Sequence, residues 1–194
     1  QAHLQWAFFS PDFALACEEA HGRARVSVLR RGGAIIGILP FQFATRRHAA
    51  FGVAERIGGG LSDAAGLIAA SGTRIEPAEL LRASGLGALF LTHLMDGQAA
   101  YGLHPDEVRT GYMIALDDGP EPYFEALASG RKRFFLDTQR ILRRIERESG
   151  PIDYAMVADP PLDAVLSVIE EKRQQYRRTG VGDPFDNPAT LAIM

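Results

Sequence analysis

Ala24-Arg25-Val26-Ser27-Val28-Leu29-Arg30, followed by Arg31-Gly32-Gly33 and then Ala34-Ile35-Ile36-Gly37-Ile38-Leu39-Pro40-Phe41-Gln42-Phe43, is the stretch that decides the fold class. The first segment alternates, with Val26 and Val28 on one face. The second is β-branched and aromatic, and the residues between them supply a turn, so the two segments form a β-hairpin. On the N-terminal side, Ser10-Pro11 is an N-cap followed by proline at the first helical position. Phe13, Ala16, Cys17 and Ala20 then recur at helical spacing until Gly22, which predicts a short amphipathic helix. On the C-terminal side, Gly58-Gly59-Gly60 is a permissive stretch before Leu61-Ser62-Asp63. Gly66 to Ala70 reads as a short strand, Pro77 to Ser84 as a helix stopped by Gly85, and Ala88 to Leu94 as a further strand.

A second block starts near Gly111. Tyr112 to Leu116 reads as a strand, Pro120-Glu121-Pro122 opens a helix, and a strongly helical pattern runs from Arg131 to Gly150-Pro151. In that pattern Phe134, Thr138, Ile141, Leu142 and Ile145 form one stripe, and Arg140, Arg143, Arg144 and Arg147 lie opposite. Ile152 to Val157 reads as a strand. Asp159-Pro160 then opens a last long helix carrying Leu162, Val165, Leu166, Ile169 and Tyr176, closed by Gly180. No repeat recurs at a solenoid period. The element order gives an α/β class in the mixed α+β sense, with one block over residues 1–110 and another over 111–194.

Composition narrows the function classes. The chain has 194 residues, 46% hydrophobic and 23% charged, which is enough for a packed core. Its apolar runs are only a few residues long, so no membrane span is expected. A single cysteine, Cys17, makes neither an internal disulfide nor a zinc site, which favours a reducing, cytoplasmic setting. The formal charge of −3 lacks the basic excess of a dedicated nucleic-acid binder. Yet Arg131 to Arg147 holds seven basic and two acidic residues, a net +5 that leaves −8 on the remainder. The chain opens on Gln1 without a signal-peptide pattern and stops at Met194 just after a new segment begins at Asn187-Pro188, so it reads as a piece of a longer protein.

Four patterns could carry chemistry. Gly60-Leu61-Ser62-Asp63-Ala64 approaches a nucleophile elbow, but Gly66-Leu67-Ile68 is no helix start, so Ser62 is expected to be a loop serine. His3, His21, His48, His93 and His104 show no helical pair and no acidic or cysteine cluster, so no metal is expected. Arg177-Arg178-Thr179-Gly180-Val181-Gly182 has the spacing of a pyrophosphate-binding loop. That role needs a strand before it and a helix start at its end, whereas here a helix precedes it, so Gly180 is expected to be a helix cap. The arginine face could grip an anionic ligand or partner, with solvated surface as the plain alternative. It has no interleaved aromatics, which argues against nucleic acid.

Ser10-Pro11-x-Phe13, Pro40-Phe41-Gln42, Gly60-Leu61-Ser62-Asp63-x-x-Gly66-Leu67, Ile145-Glu146-Arg147-Glu148-x-Gly150-Pro151 and Lys172-x-x-Gln175-Tyr176-Arg177-Arg178-Thr179-Gly180 occur in this order along nearly the whole chain. Together they resemble the CelD/BcsL-type proteins of the GNAT acetyltransferase superfamily, whose architecture is shared with FemAB-type aminoacyl transferases. The resemblance implies a GNAT-like N-terminal half in residues 1–110. It implies a linker helix and the opening elements of a second GNAT-like half in residues 111–194, with the cofactor loop beyond Met194 and this chain alone inactive. It also implies N-acyl transfer from acetyl-CoA to an amine or hydroxyl of a small-molecule or saccharide acceptor, and an association with exopolysaccharide or cellulose production. Asp63, beside Ser62 in the glycine-rich turn, and Lys172, Gln175, Tyr176 and Arg178 are the residues expected to meet the acceptor. The alternatives are aminoacyl transfer from charged tRNA, where the basic helix would meet RNA, and a non-catalytic GNAT-like binding module.

Only Glu146 and Glu148 lie close to the four arginines of the basic face in sequence, so the face repels itself and attracts an anion. Any association made through it should weaken steeply as salt is raised. Arg140→Glu combined with Arg144→Glu should abolish that association without lowering the melting temperature, since neither position is on the apolar stripe. A double variant that keeps activity and every association across a salt series would mark the face as solvated surface.

Overall fold

The computed structural model describes residues 6–111, 114, 116, 118–153, 155, 157 and 159–194. They divide into two compact units, Gln1–Glu107 with Leu166–Met194, and Val108–Val165.

The first unit opens with α1 (Pro11–His21). Ser10 Oγ accepts the Phe13 N–H at 3.1 Å, and Gly22 closes the helix, so both cap signals act as expected. Strands β1 (Ala24–Arg31) and β2 (Ala34–Gln42) pair antiparallel from Ala24↔Gln42 to Arg31↔Ala34, with a bulge between Leu29 and Arg30. Gly32 and Gly33 both take positive φ, 57° and 83°, which is what a two-residue turn needs to match the right-handed strand twist.

The far edge of β2 is shared. A short helix α2 (Arg46–Ala50), capped by Thr45, leads into β3 (Val53–Arg56), which pairs antiparallel with Phe41 and Gln42 of β2. Strand β4 (Ile68–Ala69) pairs antiparallel with Gly37 and Ile38 farther along the same strand. Pro40, which has no N–H to give a ladder, sits at the handover between these two partners. Helix α3 (Pro77–Ala83) then crosses over to β5 (Ala88–Phe90), which lies parallel to β3. The result is a mixed sheet in the order β1-β2-β3-β5, with β4 as a second neighbour of β2.

Leu39, Phe41, Leu67, Leu80 and Leu86 are among the residues of the main core, where each fully buried leucine contributes about 2 kcal/mol. The loop after β5 is tied to this core by Gln98. Its Oε1 accepts the Leu67 N–H at 2.8 Å and its Nε2 donates to the Leu67 carbonyl at 3.2 Å, so a side-chain amide stands in for a neighbouring strand. A smaller core joins Cys17, Ala24 and Ile57, with Ile193 packed against it from α7 (Pro188–Ile193). Asn187 caps α7 by accepting the Ala189 N–H at 3.0 Å.

The second unit holds α4 (Pro120–Gly130) and α5 (Lys132–Ser149). Among its described residues no side chain is buried, and Phe134 of the α5 stripe is 60% exposed. Asp137, left out when only Glu146 and Glu148 were counted as close acids, reaches Arg140 at 3.4 Å, and Glu148 reaches Arg144 at 3.6 Å, so two of the four arginines of the face, Arg143 and Arg147, have no ion pair among the described residues. The last long helix, α6, runs Leu162–Thr179, two residues later than the expected Asp159-Pro160 start.

The sequence reading and the structure differ at β5 and over residues 46–56. The strand expected over Ala88 to Leu94 stops at Phe90, because the chain leaves β3 there and Leu94 instead makes an isolated parallel bridge to Ala65. Helix α2 and strand β3 were not foreseen, since five and four residues are too few to show a period. The strands expected at Tyr112 to Leu116 and Ile152 to Val157 fall on stretches where Tyr112, Met113, Ala115, Tyr154 and Met156 lie outside the described residues.

Gln98→Leu keeps the volume but leaves both Leu67 backbone groups without a partner, and should cost about 2–4 kcal/mol in a denaturant titration. Ser10→Ala, which removes one cap, should cost about 1 kcal/mol. Equal losses in the two variants would contradict the part assigned to Gln98.

Candidate functional site

Strands β3 and β5 pair in register through Val53↔Ala88, Ala54↔Leu89 and Glu55↔Phe90, where β5 ends. Beyond their carboxyl ends lies a crevice of about 150 Å³, lined by Glu55, Arg56, Gly59, Gly60, Phe90 and Thr92. Ligands of open α/β sheets characteristically bind in this position, outside the ends of parallel strands. The glycine run makes the crevice possible. Gly58 and Gly59 hold φ of 76° and 51°, and a Cβ on Gly58 would stand 2.5 Å from the Phe13 ring. A Cβ on Gly60, which is exposed and lines the crevice, would meet nothing within 4 Å.

A buried amide organises the floor. The Arg23 N–H donates to His21 Nδ1 at 3.1 Å, so His21 carries its proton on Nε2 and donates it to Gln42 Oε1, also at 3.1 Å. The same oxygen accepts the Gly58 N–H at 2.8 Å, and Gln42 Nε2 donates to Glu55 Oε1 at 2.8 Å. One side chain thus joins α1, the end of β3 and the glycine turn. Arg56 braces the turn from the other side, its Nε donating to the Gly59 carbonyl at 2.8 Å.

His93 follows Thr92 of the crevice lining directly, and Asp63 lies three residues after Gly60. Their Oδ1 and Nε2 atoms are 4.0 Å apart, and the Asp63 side chain is 72% exposed. His93 adopts φ 58°, a conformation that costs a non-glycine residue about 1–3 kcal/mol, and its carbonyl accepts the Ala65 N–H at 2.9 Å. Ser62, by contrast, is fully buried, and its Oγ donates to the Ala64 carbonyl at 2.8 Å. It braces the turn and has no exposed hydroxyl.

The other expected acceptor residues lie on α6. Lys172 Nζ donates to Gln175 Oε1 at 3.0 Å and stands 5.4 Å from the centre of the Tyr176 ring, which in turn neighbours Phe185. Lys172, Gln175 and Arg178 share a shallow depression with Val168, Glu171 and Gln174. Among the described residues no hydrogen bond, ion pair or ring contact joins this group to Asp63. Arg173, absent from the expected set, holds Asp183 at 2.9 Å and Asp186 at 2.8 Å and so ties the segment after α6 to the helix. Gly180 has φ 69° directly after α6, and α7 starts only at Pro188, so Arg177 to Gly182 lacks the helix start that a phosphate loop requires. Among the described residues no group of three or more His, Cys, Asp or Glu side chains could hold a metal ion. No helix among them is long and apolar enough to cross a membrane.

Sequence reasoning reached Asp63 and the glycine run but missed Gln42, Glu55 and His93 as site residues. Gln42 stood at the end of Pro40-Phe41-Gln42 with nothing to mark it as buried, and Glu55 lay on an unrecognised strand. No family model matches this chain, and no curated protein and no solved structure matches it either.

Beneath the glycine turn, burial pushes the Cys17 thiol up from 9.0 to about 11, against the lowering effect of a backbone hydrogen bond with Gly58. The unfolded thiol therefore ionises first, and stability is lost as pH rises from about 9 to about 11. Two pH units correspond to about 2–3 kcal/mol. Chemical unfolding across this window should show that loss in the wild type relative to Cys17→Ala. Parallel pH profiles would place the thiol in contact with water.

Proposed function

We propose that the protein is an N-acyltransferase of the GNAT type, which moves an acetyl or acyl group from acyl-CoA to an amine or hydroxyl of a small-molecule or saccharide acceptor. The observation that carries this reading is the crevice at the carboxyl end of the parallel β3–β5 pair, which Gly59 and Gly60 line. Acyl transfer between a thioester and an amine needs such a gap, because two reactants must approach from different sides while backbone groups polarise the carbonyl. The antiparallel β1-β2-β3 run and the helical crossover to parallel β5 are consistent with a GNAT-like half over residues 1–110. Residues 111–194 are then a linker helix and the opening elements of a second half, and the setting is cytoplasmic.

The donor supplies the activated acyl group. Within this chain, Gly60 leaves room for a thioester at the crevice mouth, and Glu55 offers a carboxylate at its floor. Asp63, oriented toward His93, is placed to recognise a cationic or hydroxylated acceptor or to take up its proton. A second reading, a binding module of the same fold, draws on a separate observation: Gly180 follows α6 with positive φ, and no α-helix starts at the end of the segment with phosphate-loop spacing, since α7 begins only at Pro188.

Thiol release from acetyl-CoA by the intact protein carrying residues 1–194, measured with a panel of amines and hydroxyl compounds, tests the reading. Transfer should exceed background for at least one acceptor and fall roughly a hundredfold in Gly60→Leu, which adds a bulky side chain at a position lining the crevice. Asp63→Asn should lower turnover with the melting temperature unchanged. Background rates with every acceptor, or full activity in Gly60→Leu, would remove transferase chemistry from this site and favour the module.

A further inference from the structure

We propose that helix α5 lies flat on an anionic lipid bilayer, with its apolar stripe among the acyl chains and its arginines among the headgroup phosphates. This surface is separate from the crevice and does not depend on the transferase reading.

Phe134, Ile141, Leu142 and Ile145 are each between 40% and 60% exposed. Phe134 and Ile145 stand eleven residues apart, which is about 20° more than three whole turns, so the stripe runs along the helix axis instead of winding round it. A straight stripe over an 18-residue helix fits a planar boundary between apolar and aqueous media. The helix is too polar to cross a bilayer, and an apolar stripe opposed to a strongly basic face is the pattern of a helix that lies in the interface.

Charge selects the kind of surface. The segment from Arg131 to Arg147 carries a net +5, and Arg143 and Arg147 have no ion pair among the described residues. Arg140, Arg143, Arg144 and Arg147 lie opposite the stripe, with Leu136 as an apolar interruption. A protein groove that covered the stripe would leave these arginines in water, and a polyanion that gripped the arginines would leave the stripe in water. A bilayer interface receives both sides at once. The helix is about 10 Å across and its apolar face sinks about 5–10 Å, so the polar side sits within the headgroup layer, where long arginine side chains reach the phosphates.

The test is co-sedimentation of the intact protein carrying residues 1–194 with vesicles of phosphatidylcholine alone and with vesicles of equimolar phosphatidylcholine and phosphatidylglycerol. Binding should appear with the anionic vesicles only and weaken as salt is raised. Arg143→Gln combined with Arg147→Gln should lower affinity roughly tenfold or more. Ile141→Gln combined with Ile145→Gln should lower it by a similar factor, through lost apolar contact. All four positions are exposed, so both double variants should keep the wild-type helicity and melting temperature. No binding to the anionic vesicles would overturn the proposal, as would equal binding to both vesicle types. An isoleucine double variant that binds the anionic vesicles as tightly as wild type would also overturn it, since the arginines would then be gripping a polyanion without the stripe. Binding of single-stranded polyuridine RNA in place of vesicles would assign the face to nucleic acid instead. Acyl transfer is assayed without vesicles, so its presence or absence decides the transferase reading separately.

Discussion

The buried side-chain amide of Gln42 is the constraint on which the candidate site depends. It lies at the end of β2 and satisfies three groups that come from three different elements: His21 of α1, Glu55 of β3 and the Gly58 N–H of the turn. A buried polar group without a partner costs about 1–3 kcal/mol, so each of these groups would oppose a shift of the amide. The glycine turn is held just as firmly from below, where Phe13 packs against Gly58 and leaves no room for a side chain. The crevice floor is therefore built by groups whose positions are over-determined, which is the condition for recognising a ligand without reorganising around it.

The second determinant is the divided edge of β2. Because β4 takes Gly37 and Ile38 while β3 takes Phe41 and Gln42, the sheet forks at Pro40, and β3 is left to find its next partner in β5. The parallel pair is short and ends at Glu55 and Phe90, so the opening falls where the glycine turn begins. Fold and site are linked here: the same residue that terminates the ladder, Glu55, supplies the charge at the crevice floor.

Much of the fold was legible because the signals were local. The Ser10-Pro11 cap, the Gly32-Gly33 turn, the Pro77 start, the Asn187 cap and the Gly150 stop are short-range chemistry, and each marks the end of an observed element. Helix α2 and strand β3 were illegible because they are too short to show a period and because β3 carries Glu55 and Arg56, which read as surface. The site was only half legible for a similar reason. Asp63 stands in a glycine-rich turn that draws notice, whereas the importance of Gln42 and Glu55 comes from a cross-strand pairing and a turn N–H that no spacing encodes. His93 owes its place to a strained backbone, which sequence does not show. Ser62 drew notice as a near-elbow serine, and burial gave it an internal bond instead.

Amide hydrogen exchange at Gly58 tests the central constraint most directly. A glycine N–H in an exposed turn exchanges freely, whereas one donated to a buried Gln42 carbonyl opens only when the turn or the sheet does. The Gly58 amide should exchange as slowly as those of the β2 core, and Gln42→Met should release it while Leu39 stays protected. Exchange of the Gly58 amide in the wild type at the rate of an unprotected turn would contradict the account.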